Sequence, residues 1–151
     1  MRRGLSTAAA AIAIMLALSG CVGPARTTST YEGKALRTAQ DSLSELQTSL
    51  LSVQTSLHGK LTQAYLQTVL SESEDAFSSI QATFDSIQPP DTEAADKLRD
   101  SLDKLLADGA DGMAQLRILA RRQDTQQLAA EAQKLTATAD GLDKFAQEHG
   151  G

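Results

Sequence analysis

Leucines spaced by sevens constrain this chain more than any other feature. Leu36, Leu43, Leu50 and Leu57 form one row, and Ala39, Leu46 and Val53 follow three residues later in each repeat. Apolar residues at alternating steps of three and four keep one stripe along an α-helix. The row therefore predicts a helix over 31–57 with its a/d stripe turned to a core. The register fails at His58-Gly59-Lys60, where Gly59 suits a left-handed terminator.

Three further rows follow, each in its own phase. Leu66, Ser73, Ile80 and Ile87 run beside Leu70, Phe77 and Phe84, predicting a helix over 61–87 that Pro89-Pro90 ends. Ala95, Leu102, Gly109 and Leu116 pair with Leu98, Leu105, Gly112 and Leu119, predicting a helix over 92–121 capped by Asp91 or Thr92. Arg121 and Arg122 suit its C-terminal dipole. Leu128, Leu135 and Leu142, flanked by Ala132, Ala139 and Phe145, predict a fourth helix over 125–147 with Asp124 as its cap. At the first helix, Ser29 and Glu32 have the S-x-x-E spacing of a capping box. No stretch alternates with period two as a strand does. Short connections make sequential helices antiparallel, so the expectation is an all-α, antiparallel up-down-up-down four-helix bundle over 29–151. The runner-up is a pair of helical hairpins that close only in a dimer.

The N-terminus has a different grammar. Arg2 and Arg3 precede an apolar run over 8–18, and small residues lead to Cys21, the one cysteine in the chain. A basic n-region, a short h-region and small residues make a secretory signal, too short to span a bilayer. Leu18-Ser19-Gly20-Cys21 resembles the lipobox of bacterial lipoproteins at all four positions. That resemblance implies cleavage after residue 20, acylation of Cys21 with palmitate-like chains, and a lipid anchor on the extracytoplasmic face of the cell membrane. Residues 1–20 are then the signal and 21–28 a lipidated flexible tether.

Removal of Arg2 and Arg3 leaves 12 basic residues against 19 acidic ones, so the formal charge moves from −5 to −7. Such a domain is a poor ligand for nucleic acid or for anionic headgroups. Histidine chemistry is thin. His58 falls in a turn and His149 in the tail, neither within Glu-x-x-His, so no metal or haem site is expected. The carboxylates at Glu72, Glu74, Asp75, Asp96, Asp100 and Asp103 avoid the apolar rows and read as a solvated face. Asp108-Gly-Ala-Asp111 lacks the EF-hand spacing. No nucleophile elbow or phosphate-binding glycine loop occurs. The expectation is a chain that is not an enzyme and needs no cofactor.

Gly109 and Gly112 are the oddity, because they sit in rows that otherwise hold leucine. Each costs about 1 kcal/mol relative to alanine inside a helix. Three readings stay open: they admit a bulky neighbour such as Phe77 or Phe84, they mark a kink, or they open a small apolar cavity. The functional expectation is an envelope lipoprotein that acts as an accessory or scaffolding partner of another envelope protein, through a charged helical surface. The alternative is a lipoprotein that binds a small apolar ligand among Gly109, Gly112, Met113, Phe77 and Phe84.

Overall fold

The computed structural model describes residues 27–150. The signal over 1–20, the lipobox residues Leu18, Ser19, Gly20 and Cys21, and the tether up to residue 26 lie outside the described residues. Among the described residues the chain is all-helical, with four helices and no strand: α1 (Thr28–Leu57), α2 (Gln63–Asp85), α3 (Glu93–Arg122) and α4 (Thr125–His149).

Each helix begins on a side chain that accepts from the backbone N–H three residues on. Thr27, Thr62, Thr92 and Asp124 accept from Thr30, Tyr65, Ala95 and Gln127 at 3.0–3.3 Å. Thr92 and Asp124 are the expected caps. Thr27 replaces the Ser29–Glu32 box: α1 starts at Thr28, before Ser29, which leaves both residues inside the helix. The Glu32 carboxylate instead accepts from His149 Nδ1 at 2.9 Å.

The helix ends follow backbone chemistry. Gly59 takes φ +68° after α1, as the sequence predicts. α2 stops at Asp85, two residues short of expectation. Pro89 forces Gln88 out of helical geometry, and the chain begins to unwind a turn earlier. Ile87 is nevertheless buried. The Arg99 guanidinium donates to the carbonyls of Ile87 and Asp85 at 3.1 and 3.2 Å, satisfying two acceptors that the helix end would strand. α3 ends on Gln123 in the left-handed region at φ 56°.

The helices pack around one apolar core that includes Leu46, Leu66, Phe77, Leu102, Leu116, Leu135 and Leu142. α1 contacts α2 and α4, α3 contacts the same two, and α1 also meets α3. α2 and α4 do not meet. Contacts between helix ends fix which ends lie together. Thr28 and Thr92, at the starts of α1 and α3, share a 3.4 Å hydroxyl contact. His149 at the end of α4 reaches Glu32 at the start of α1. At the other end, Gln63 Nε2 at the start of α2 donates to the Ala120 carbonyl near the end of α3.

One face differs from the sequence expectation. The leucine row of α1 is not its core stripe: Leu36, Leu43 and Leu50 are half-buried and Leu57 is exposed. The buried face is Tyr31, Ala35, Ala39, Ser42, Leu46, Ser49 and Val53. Small side chains on that face let α3 approach across the bundle, and the helix is rotated so that its leucines fall on the flank beside α4. In α3 the buried positions include Leu106, while Leu105 lies at the edge.

Candidate interaction surface

The polar groups inside the bundle are mostly structural. Arg117 on α3 grips Glu74 on α2 with two hydrogen bonds, Nε to Oε2 and Nη2 to Oε1. The bonds to Glu74 push the Arg117 guanidinium further up, so it stays charged. A second cluster joins α1, α2 and α3. Tyr31 and Phe84 stack with ring centroids 5.7 Å apart, and Arg99 lies 5.8 Å over the Phe84 ring. Arg99 Nε pairs with Asp103 at 3.3 Å, one turn on along α3. Burial pushes the Asp103 carboxyl up, against the pull of Arg99 and helped by nearby Asp85. Tyr31 is pushed up by burial as well. Its hydroxyl and Asp103 Oδ1 are buried without a hydrogen-bond partner among the described residues.

The sequence-predicted pocket residues are not brought together as a set. A Cβ on Gly109 would lie 2.6 Å from Phe77 Cζ, and one on Gly112 would lie 2.6 Å from Leu135 Cδ1. The missing side chains are thus replaced by a phenylalanine of α2 and a leucine of α4. Met113 is buried beside them. Phe84 lies a further two turns along α2, against Tyr31. A third close approach was not legible in the rows: Gly141 on α4 receives Leu105 from α3, with 2.7 Å from a Cβ to its Cδ2. Among the described residues, no three His, Cys, Asp or Glu side chains are arranged to hold a metal ion. No described helix is long and apolar enough to cross a membrane.

The surface itself is uneven. Among the described residues, Leu51, Leu57 and Tyr65 are the large apolar side chains left exposed, at 64%, 40% and 58%. Leu51 and Leu57 edge a groove of about 530 Å³ between α1 and α4, floored by Leu50, Val53, Ala129 and Ala132. His58 closes its end, with Nδ1 2.7 Å from the Gln54 carbonyl. A second groove of about 400 Å³ continues it past Gln47 to Gln40, Leu43, Ala146 and Gln147. Asp143 is the only charged side chain lining either groove. Its carboxylate already accepts from Gln147 Nε2 at 2.7 Å. Residues 46–59 contain no Asp, Glu, Lys or Arg at all.

The remaining surface is acidic. Residues 61–122, which include α2 and α3, carry 11 carboxylates against 6 Lys and Arg side chains. Glu72, Asp75, Asp85, Asp96, Asp100, Asp108 and Asp111 are all exposed. Sequence reasoning found the charged face and missed the uncharged one. The signal is present in the charge-free run over 46–59, but Leu50 and Leu57 in that run belong to the row whose period points to a core. Comparison with family models, with curated proteins and with solved structures returned no match.

Proposed function

We propose that this chain is a lipid-anchored protein of the extracytoplasmic membrane face whose helical domain is an antiparallel up-down-up-down bundle. Its role is non-enzymatic: it is an accessory or scaffolding protein that binds another envelope protein. The pairing of helix ends described above supports the up-down order, because Thr28, Thr92 and His149 share one end while Gln63 and Ala120 share the other. The Leu18-Ser19-Gly20-Cys21 run supports the anchor at Cys21. Acyl chains would then hold the starts of α1 and α3 toward the bilayer. The Leu51 and Leu57 groove would stand roughly 35–45 Å away, at 1.5 Å of helix rise per residue.

The observation that carries the reading is the division of the surface into a charge-free apolar flank and an acidic remainder. Interface cores are depleted in charge, whereas catalytic sites gather titratable groups in a cleft. Here the grooves hold leucine, alanine and glutamine with Asp143 as the one charged side chain, while the Arg117–Glu74 pair ties α3 to α2 and His149–Glu32 ties α4 to α1. The test is site-specific photo-crosslinking of the full chain in cells that export it, with the probe placed in turn on the acidic and the charge-free faces. The expected result is an adduct with another envelope protein, lost when Cys21→Ser releases the chain from the membrane. No adduct with another protein from any face, or a Cys21→Ser chain still held in the membrane, overturns the proposal.

A further inference from the structure

The flank of α1 carries a repeat that packing within a single copy only half buries. Leu36 and Gln40, Leu43 and Gln47, Leu50 and Gln54 repeat Leu-x-x-x-Gln three times at intervals of seven. The leucines are half-buried, and all three glutamines are exposed. A row spaced by sevens drifts about 20° per heptad around a straight α-helix. The leucine period serves α4, which packs beside this flank, while Gln40, Gln47 and Gln54 keep the same period at the outer edge of the α1–α4 grooves, where a further helix can meet them.

We infer that this flank pairs with the same flank of a second copy, α1 beside α1, with Leu51 of each copy seated in the other's α1–α4 groove. The inference rests on reading the flank as an interface, and it names the occupant. Three observations select a second copy. A two-fold contact places one patch against itself, so its polar groups must complement their own kind. A glutamine amide both donates and accepts and can meet another glutamine, whereas a row of carboxylates would repel its copy. Electrostatics point the same way. The chain is acidic, and two copies repel least where neither carries charge, which is the stretch over 46–59. Shape supplies the third. Leu51, 64% exposed, is a knob next to a groove floored by Leu50, Ala129 and Ala132, so knob and hole lie on one surface. The flank runs about 25 Å from Gln40 to Leu57 at 1.5 Å per residue, or about two and a half heptads. The acidic faces of α2 and α3 stay free for the envelope protein.

Single cysteines test this in the full chain in exporting cells, with the wild type, whose only cysteine is Cys21, as background. Under mild oxidation, Gln47→Cys and Gln54→Cys should give a disulfide-linked dimer well above that background. Asp75→Cys and Ser101→Cys, exposed on α2 and α3, should not. Purified full chain in detergent should sediment with twice the protein mass of one copy. Leu51→Glu should return it to a single copy with its helical circular dichroism unchanged. Should Leu51→Glu unfold, Gln54→Glu places the same charge on an exposed position and should separate the copies. A single-copy mass at every concentration, a dimer band no stronger at 47 and 54 than at 75 and 101, or linkage of 47 and 54 only to a different protein overturns the inference. The last of these leaves the proposed function standing. A dimer with no adduct to any other protein does the reverse.

Discussion

The hydroxyl of Tyr31 is buried at the junction of α1, α2 and α3, near Arg99 and Asp103 but without a hydrogen bond of ordinary geometry among the described residues. A buried hydroxyl without a partner costs roughly 1–3 kcal/mol, while its ring repays burial and stacks on Phe84. Tyr31→Phe keeps the ring and deletes the orphan. The variant is expected to match the wild type or exceed it by up to about 1 kcal/mol in urea denaturation. A loss of comparable size would mean that the hydroxyl has a bonding partner in solution. Asp103 gives the same cluster a pH dependence. Its folded-state pKa is raised above the ordinary 3.8, so the fold binds its proton more tightly than the unfolded chain does. That contribution is fully present below pH 3.8 and is lost as pH rises through the raised value. Asp103→Asn removes the penalty of burying the charge. Its urea midpoint should therefore gain on the wild type between pH 3.5 and pH 7. A wild type that gains on the variant over that range would show that Arg99 outweighs burial.

Among the helices, the breaks were easier to read than the faces. Gly59, Pro89-Pro90, Thr92 and Asp124 act through local backbone chemistry, and a sequence displays local chemistry directly. The orientation of α1 depends on what α3 presents, which no row in α1 reveals. Four leucines in register outweigh Ala35, Ala39, Ser42 and Ser49 on any hydrophobicity scale, yet the small residues face the core because α3 lies close across the bundle. The same limit applies to Gly109 and Gly112. Periodicity marked them as odd, but only packing shows that Phe77 and Leu135 fill the space. Two leucines five residues apart on α1 separate its buried face from its exposed flank. Leu46 is fully buried, so Leu46→Ala should cost about 2–5 kcal/mol of unfolding free energy. Leu51 is 64% exposed, and Leu51→Ala should change the stability of a single copy by less than about 0.5 kcal/mol. The comparison is read from urea midpoints at concentrations where the chain is a single copy. Equal losses would place Leu51 in the core beside Leu46.

At the scale of the whole molecule, an up-down order has a consequence that the two-hairpin alternative lacks. If all four helices close within one chain, the described termini must lie at the same end, and they do. Thr27 caps α1 one turn from Glu32, which accepts from His149 in the last turn of α4. Phe145 packs its ring 4.5 Å from His149 and is buried, so the end of α4 is held firmly against the start of α1. The connection over 58–62 lies at the opposite end, is largely exposed, and takes no part in the core beyond Leu61 at its edge. Joining residue 150 to residue 27 by a short Gly/Ser linker and opening the chain at Lys60 replaces one short connection by another of similar length. Loop-closure entropy changes slowly with length, so the exchange alters stability by about 1 kcal/mol or less. The permuted domain should therefore keep its helical circular dichroism, unfold in one cooperative transition, and do so at low concentration with a urea midpoint close to that of the parent order. In hairpins that close only across a dimer, the same cut would sever one hairpin and leave α1 to be recruited from another copy. Cooperative unfolding would then depend steeply on concentration. A permutant that folds only when concentrated would overturn the single-chain bundle and assign the core to two chains.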